Sequence, residues 1–233
     1  MKIKLLDIPT FIKKNNVKEI KSVKTEGRAG KPDSEGLFSE EIFGRIGSNQ
    51  RKQTYGYIDL GVKIIHPQAW DIVTGINPAF NKLILTKKKY SIGVDGDLIE
   101  DPGGKTGLYF LISNFDKLNL SLLGKFKPEN VKFIKKNKDL LFIDKLLVLP
   151  AGIRDIQFSK TTGKKMIQFS EINALYQELI TQTKTIPLNS VMLPEEILNS
   201  INTSIQRKAI EISEWILQRM KGKGGLLRVR LEN

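Results

Sequence analysis

Residues 35–67 read EGLFSEEIFGRIGSNQRKQTYGYIDLGVKIIHP, and the rest of the chain is organised around them. Two glycine-led elements stand out. Gly36, Leu37, Phe38, Ile42, Phe43 and Gly44 make up the first; Gly56, Tyr57, Ile58, Asp59, Leu60 and, six residues on, His66 make up the second. Residues 57–65 alternate, with Ile58, Leu60, Val62 and Ile64 on one face, the period-two pattern of a half-buried strand. Residues 45–54, RIGSNQRKQT, are polar with two basic residues near the middle and read as an exposed loop.

Bulk properties narrow the function. A chain of 233 residues can form one large domain or two small ones with a proper core. No apolar run approaches the roughly 20 residues of a membrane-spanning helix, and the N-terminus lacks the length and small-residue cleavage site of a secretory signal. A cytoplasmic protein without a membrane partner is expected. The 38 Lys and Arg against 25 Asp and Glu leave a net charge of +13, which favours a polyanionic partner, nucleic acid before membrane. With no Cys there are no disulfides, thiolate chemistry or cysteine-ligated zinc. The single His66 reads as a packing or hydrogen-bonding residue at a strand-to-loop transition rather than a base.

On the N-terminal side of the opening stretch lies a short apolar run (residues 3–8), then a basic, polar segment with turns at Gly27, Gly30 and Pro32. On its C-terminal side, Trp70, Ile72, Val73 and Ile76 have looser helical spacing, closed by Asn77 and Pro78. Lys87, Lys88 and Lys89 read as a solvated surface run. Residues 95–107, DGDLIEDPGGKTG, contain Gly104-Lys105-Thr106, but Ile99 stands where a phosphate-binding loop needs its first glycine and Pro102 interrupts the loop. The Asp95-Gly96-Asp97 pair invites a metal reading, yet the Asp/Gly/Pro turn chemistry fits a surface hairpin better. Residues 118–138 show no sharp period. Residues 140–150, LLFIDKLLVLP, are strand-like, and residues 153–167 form a basic hairpin around Gly163 that carries Lys160, Lys164 and Lys165.

The clearest helical signal starts at Ser170, an expected N-cap, with Glu171 in the first turn. Ile172, Leu175, Tyr176, Leu179 and Ile180 then follow helical spacing. A second helix, from Pro194, carries Ile201, Ile205, Ala209, Ile212 and Ile216 at coiled-coil-like intervals over a rod of roughly 40 Å. The chain ends MKGKGGLLRVRLEN. Arg219, Lys221, Lys223, Arg228 and Arg230 on a glycine-hinged loop are candidates to follow a phosphate backbone.

These motifs together resemble, in order, the N-terminal part of the largest (β′-type) subunit of multisubunit RNA polymerases. The opening stretch is similar to that family's G-L-F-x-x-x-I-F-G element followed by G-H-I-x-L-x-x-P-x-x-H. Residues 140–150 resemble its I-L-x-x-L-P-V-x-P strand, and SEINALYQELI its S-D-L-N-x-L-Y-x-x-V-I helix. The terminal KGKGG resembles its K-G-K-x-G-R switch region; Lys221, Gly222, Lys223, Gly225 and Arg228 match, while Leu226 replaces an arginine. Residues 70–139 carry no resemblance. Residues 45–54 stand where cellular relatives hold a zinc ribbon, and the rudder between helix and switch is missing.

The resemblance implies an α+β fold: an irregular mixed α/β clamp module with short strands, a basic lid hairpin and a long antiparallel helical hairpin, the clamp coiled coil. Its expected parts are a clamp base (1–150), a lid-like hairpin (151–169), the clamp helical hairpin (170–220) and the start of a switch region (221–233). It implies a nucleotidyltransferase subunit without catalytic residues of its own, acting on template DNA and RNA transcript. Lys160, Lys164, Lys165, Arg219, Lys221, Lys223, Arg228 and Arg230 would touch nucleic acid. Gln182, Lys184 and Asn189, near the tip of the hairpin, would meet a sigma-like specificity factor. The implied partners are β-like and β′ C-terminal subunits, the latter supplying the catalytic barrel and its Mg2+; no metal or cofactor is expected in this chain. A reduced, divergent bacteriophage enzyme with split subunits, working in the bacterial host cytoplasm, is the expected source. The competing class is a free-standing basic nucleic-acid-binding or virion protein.

Overall fold

The fold, a computed structural model, describes residues 4–27, 31–154, 157–161, 164–168, 170–186 and 193–220. In chain order its elements are α1 (Ile8–Lys14), β1 (Lys18–Glu19), α2 (Glu40–Phe43), α3 (Asn49–Gln53), β2 (Gly56–Ile65), α4 (Trp70–Thr74), α5 (Pro78–Ile84), β3 (Tyr90–Ile92) and β4 (Leu98–Glu100). They continue with α6 (Leu108–Ser113), α7 (Leu120–Leu123), α8 (Pro128–Lys136), β5 (Phe142–Val148), β6 (Gln157–Thr161), β7 (Lys164–Gln168), α9 (Glu171–Lys184) and α10 (Glu195–Met220). The strands form a three-stranded sheet in the order β1-β2-β5, with β1 parallel to β2, and two antiparallel hairpins, β3–β4 and β6–β7. The protein is α+β, as its sequence implies. Among the described residues no helix is long and apolar enough to cross a membrane.

The chain divides into two units that interleave along the sequence. The first takes Gly61–Asp144 and Ile186–Ile210, together with the N-terminal residues through Leu6. Its core gathers Ile65, Val73, Phe80, Leu83, Leu108 and Ile134, each fully excluded from solvent. Burying side chains of this size contributes about 1.5–3 kcal/mol apiece, which lets a set of helices only four to nine residues long hold together. Phe115 meets Phe142 edge-on at 5.0 Å between ring centres.

Capping defines these short helices. Asn77 accepts from Ala79 N at 2.9 Å and donates to Leu123 O, with Pro78 at the helix start. Asn77-Pro78 therefore opens α5 rather than only closing the turn before it. Residues 118–138, without a readable period, form α7 and α8; α8 buries Val131 and Ile134 and carries Lys135 and Lys136 in its last turn. The β3–β4 hairpin, with Tyr90 opposite Glu100 and Ile92 opposite Leu98, is the turn-rich hairpin expected around residues 95–107.

The second unit takes Asp7–Leu60, Lys145–Thr185 and the chain from Glu211. Here α2 is capped by Ser39, whose buried Oγ accepts from Glu41 N and Ile42 N and donates to Ser34 O at 2.6 Å. A Cβ at Gly56 would come within 2.8 Å of Ile20 Cδ1 and 3.0 Å of Phe43 Cζ, so glycine lets the two elements of the opening stretch pack face to face.

Residues 45–54 are not simply an exposed loop. Ser48 caps α3, and Arg51 within it is 1% exposed. Its guanidinium donates to Phe38 O at 3.0 Å and Gly44 O at 2.9 Å. A four-residue helix such as α2 leaves its carbonyls without intrahelical donors, and Arg51 supplies them from the side.

The two long helices keep the expected antiparallel sense: Trp215 and Arg219 near the end of α10 both reach Glu171 at the start of α9. Ile205, Ala209 and Ile212 are buried and Ile201 and Ile216 half-buried. Up to Ile210, however, α10 belongs to the first unit, where its amide side chains bind backbone. Asn199 accepts from Tyr109 N and donates to Thr106 O, and Gln206 accepts from Ile65 N and donates to Ile65 O. Ser170 occupies the N-cap position of α9 with no side-chain capping bond; its carbonyl accepts from Asn173 N instead.

Candidate nucleic-acid interface

The basic hairpin is present. β6 and β7 pair from Gln157 opposite Gln168 to Thr161 opposite Lys164, which sets Lys160 directly opposite Lys165. Like charges across a strand pair repel, so a polyanion bound there relieves a cost the free hairpin carries. Lys164 occupies the neighbouring register position, opposite Thr161.

Arg219 lies in the last turn of α10. Its Nη2 donates to Glu171 Oε2 at 2.8 Å, and its guanidinium sits 4.1 Å from the centre of the Trp215 ring. Trp215 Nε1 donates to the same carboxylate oxygen at 3.0 Å. The ion pair is largely open to water, with the Glu171 side chain 73% exposed. Arg219 is thus held by one carboxylate and one ring, and becomes available to a phosphate by exchanging Glu171. Lys221, Lys223, Arg228 and Arg230 lie outside the described residues.

The three residues expected to meet a specificity factor differ from one another. Lys184 is exposed in the last turn of α9. Gln182 is half-buried, and its Oε1 is shielded from solvent without a hydrogen-bond partner. Asn189 lies outside the described residues.

A feature the motifs did not announce is a buried arginine cluster in the second unit. Arg154, 1% exposed, donates from Nε to Leu149 O at 2.9 Å, from Nη1 to Asn173 Oδ1 at 2.9 Å and from Nη2 to Leu37 O at 2.6 Å. Asn173 Nδ2 returns a bond to Arg154 O at 2.8 Å. The guanidinium lies 4.9 Å from the Phe43 ring centre, 5.6 Å from that of Phe38 and 5.8 Å from that of Tyr176. The Tyr176 hydroxyl accepts from Leu149 N, and burial pushes its pKa up to about 12, so it stays protonated. A buried guanidinium is tolerable only when its donors are used; here they tie three separate stretches of sequence together.

His66 is a structural residue. It is 6% exposed, its Nδ1 accepts from Gln68 N at 3.2 Å, and its backbone N donates to Leu141 O. Burial pushes the imidazole pKa down to about 4, so the ring is neutral near pH 7. Among the described residues no group of three or more His, Asp or Glu side chains is arranged to hold a metal ion. The described arrangement offers cations and hydrogen-bond donors, suited to holding a polyanion. Comparison with models of known protein families and with curated proteins returns no match.

Proposed function

We propose that this chain is the N-terminal, clamp-forming part of a β′-like subunit of a multisubunit DNA-directed RNA polymerase. The observation that carries the reading is the set of residues meeting at Arg154. Leu37, Phe38 and Phe43 come from the G-L-F and I-F-G elements, Leu149 from the strand leading to the lid, and Asn173 and Tyr176 from SEINALY. Three motifs that resemble the polymerase family separately, up to about 135 residues apart, are thus in mutual contact. Spurious short matches have no reason to converge on one buried side chain.

In this role the chain holds template DNA and the RNA–DNA hybrid through Lys160, Lys164, Lys165, Arg219 and the terminal Lys221, Lys223, Arg228 and Arg230. Gln182, Lys184 and Asn189 face a sigma-like promoter-specificity subunit. Another polypeptide supplies the catalytic barrel with its Mg2+, so the assembly transfers nucleotides and this chain by itself does not. A bacteriophage with split polymerase subunits, acting in the bacterial cytoplasm, fits the reduced segment at residues 45–54. The net charge of +13 also favours a second reading, a free-standing nucleic-acid-binding or virion protein. Isolation of the chain with its natural partners separates the two.

A further inference from the structure

The first unit contains a cleft of about 570 Å3, within the range of ligand sites. One wall is the backbone of β2 at Gly61, Val62 and Lys63 with Leu198 and Asn202 of α10; the other is built largely from α6 and the segment before β5. None of the basic residues assigned above to nucleic acid lines it.

Asn202 distinguishes this cleft from a surface dent. Asn199, Asn202 and Gln206 stand at i, i+3 and i+7 on α10 and present three amides to neighbouring backbone. The outer two use both ends, each accepting from one backbone N–H and donating to one carbonyl. Asn202 uses one: its Nδ2 donates to Lys63 O at 2.8 Å. That bond fixes the amide's orientation, because a carbonyl can only accept. Its Oδ1 is therefore turned away from Lys63 O, and it is buried with no hydrogen-bond partner although the residue is only 2% exposed. A buried acceptor left unpaired costs about 1–3 kcal/mol, which a donor placed in the cleft would recover.

The lining chooses the donor. Its charged residues are Lys63, Lys138, Asp116 and Asp139, two of each sign, and Lys138 is paired with Asp116 at 2.8 Å. On a chain of net charge +13 this is a charge-balanced patch, unsuited to a phosphodiester. Tyr109, Phe115, Phe142, Ile112 and Leu198 supply apolar wall.

We propose that the cleft binds a short, uncharged, extended peptide segment of a partner protein, with one of its backbone N–H groups donating to Asn202 Oδ1 and its apolar side chains on the aromatic wall. Recognition combines a main-chain hydrogen bond for affinity with side-chain pockets for specificity.

The test is a random peptide library displayed on phage and selected on the purified full chain, with selected peptides then labelled and measured by fluorescence anisotropy. Ser113, exposed at the cleft, is replaced in Ser113→Trp to fill it, and Asn202→Leu removes the acceptor. Selected peptides should be predominantly uncharged and should lose at least about tenfold in affinity to each variant, while a labelled mixed-sequence DNA binds both variants as it binds the parent chain. Failure to select any peptide that Ser113→Trp excludes overturns the proposal. So does peptide binding indifferent to Asn202→Leu, or DNA binding that Ser113→Trp weakens tenfold, which would make the occupant nucleic acid. Should Asn202→Leu fail to fold by circular dichroism, Ser113→Trp, at an exposed position, carries the test alone.

Discussion

Arg154 donates through Nη2 to the backbone oxygen of Leu37 at 2.6 Å, across 117 positions of sequence. The same guanidinium serves Leu149 O and Asn173 Oδ1. Its removal would strand three acceptors and leave a void between the Phe38, Phe43 and Tyr176 rings. Arg154→Met should therefore destabilise the protein by about 3 kcal/mol or more, measured by urea denaturation. Arg154→Lys should recover little, since an ammonium cannot reproduce the planar fork. Full rescue by lysine would show that charge alone, not the three-way bond, is what the cluster requires.

His66 makes stability depend on acid. Its folded pKa is about 4 against an ordinary 6.5, so below 6.5 the unfolded chain binds a proton that the folded chain refuses. Its contribution is fully present above pH 6.5 and declines as pH falls toward 4. Linkage puts the loss at about 3 kcal/mol for a shift of this size. His66→Asn keeps an acceptor for Gln68 N and does not titrate. The difference in unfolding free energy between wild type and variant should therefore change between pH 6.5 and 4 and be flat above 7. A difference independent of pH would mean that the imidazole is solvated.

The Glu171–Arg219 pair tests whether Arg219 belongs to the nucleic-acid face. Exposed ion pairs contribute about 0–1 kcal/mol, so Glu171→Gln should hardly change the melting temperature, and its amide can still accept from Trp215. Released from the carboxylate, Arg219 should bind DNA more tightly, and the dependence of log K on log salt should steepen by about 0.9 for one added phosphate contact. An unchanged slope would place Arg219 outside the interface.

Lys221 and Lys223 are assigned to phosphate contacts from sequence. In the assembled enzyme, Lys221→Ala combined with Lys223→Ala should flatten the salt dependence of DNA binding by up to about two contacts' worth. A slope equal to the parent's would remove the switch-loop assignment.

The fold's legibility in sequence followed element length. β2, β5, α9 and α10 repeat their pattern often enough to be read directly. Helices such as α2, α3 and α7 complete barely one turn, so no period can develop, and capping residues such as Ser39, Ser48 and Asn119 are what mark them. Arg51 and Arg154 were hidden for a different reason. Arginine reads as surface unless the carbonyls it will satisfy are known, and those lie elsewhere in the chain. The amides of α10 looked like ordinary polar positions beside an apolar seam; only the fold shows that they serve the backbone of the first unit. The basic hairpin was legible as chemistry, and its register adds the direct opposition of Lys160 and Lys165.

The central claim is membership of a polymerase assembly. The most direct measurement is affinity purification of the tagged chain from its native source, with mass spectrometry of what accompanies it and a nucleotide-incorporation assay on the eluate. The account predicts recovery of β-like and β′ C-terminal polymerase chains and DNA-templated RNA synthesis that the isolated chain lacks. Recovery of the chain without any polymerase subunit, as a monomer that binds DNA by itself, would contradict it.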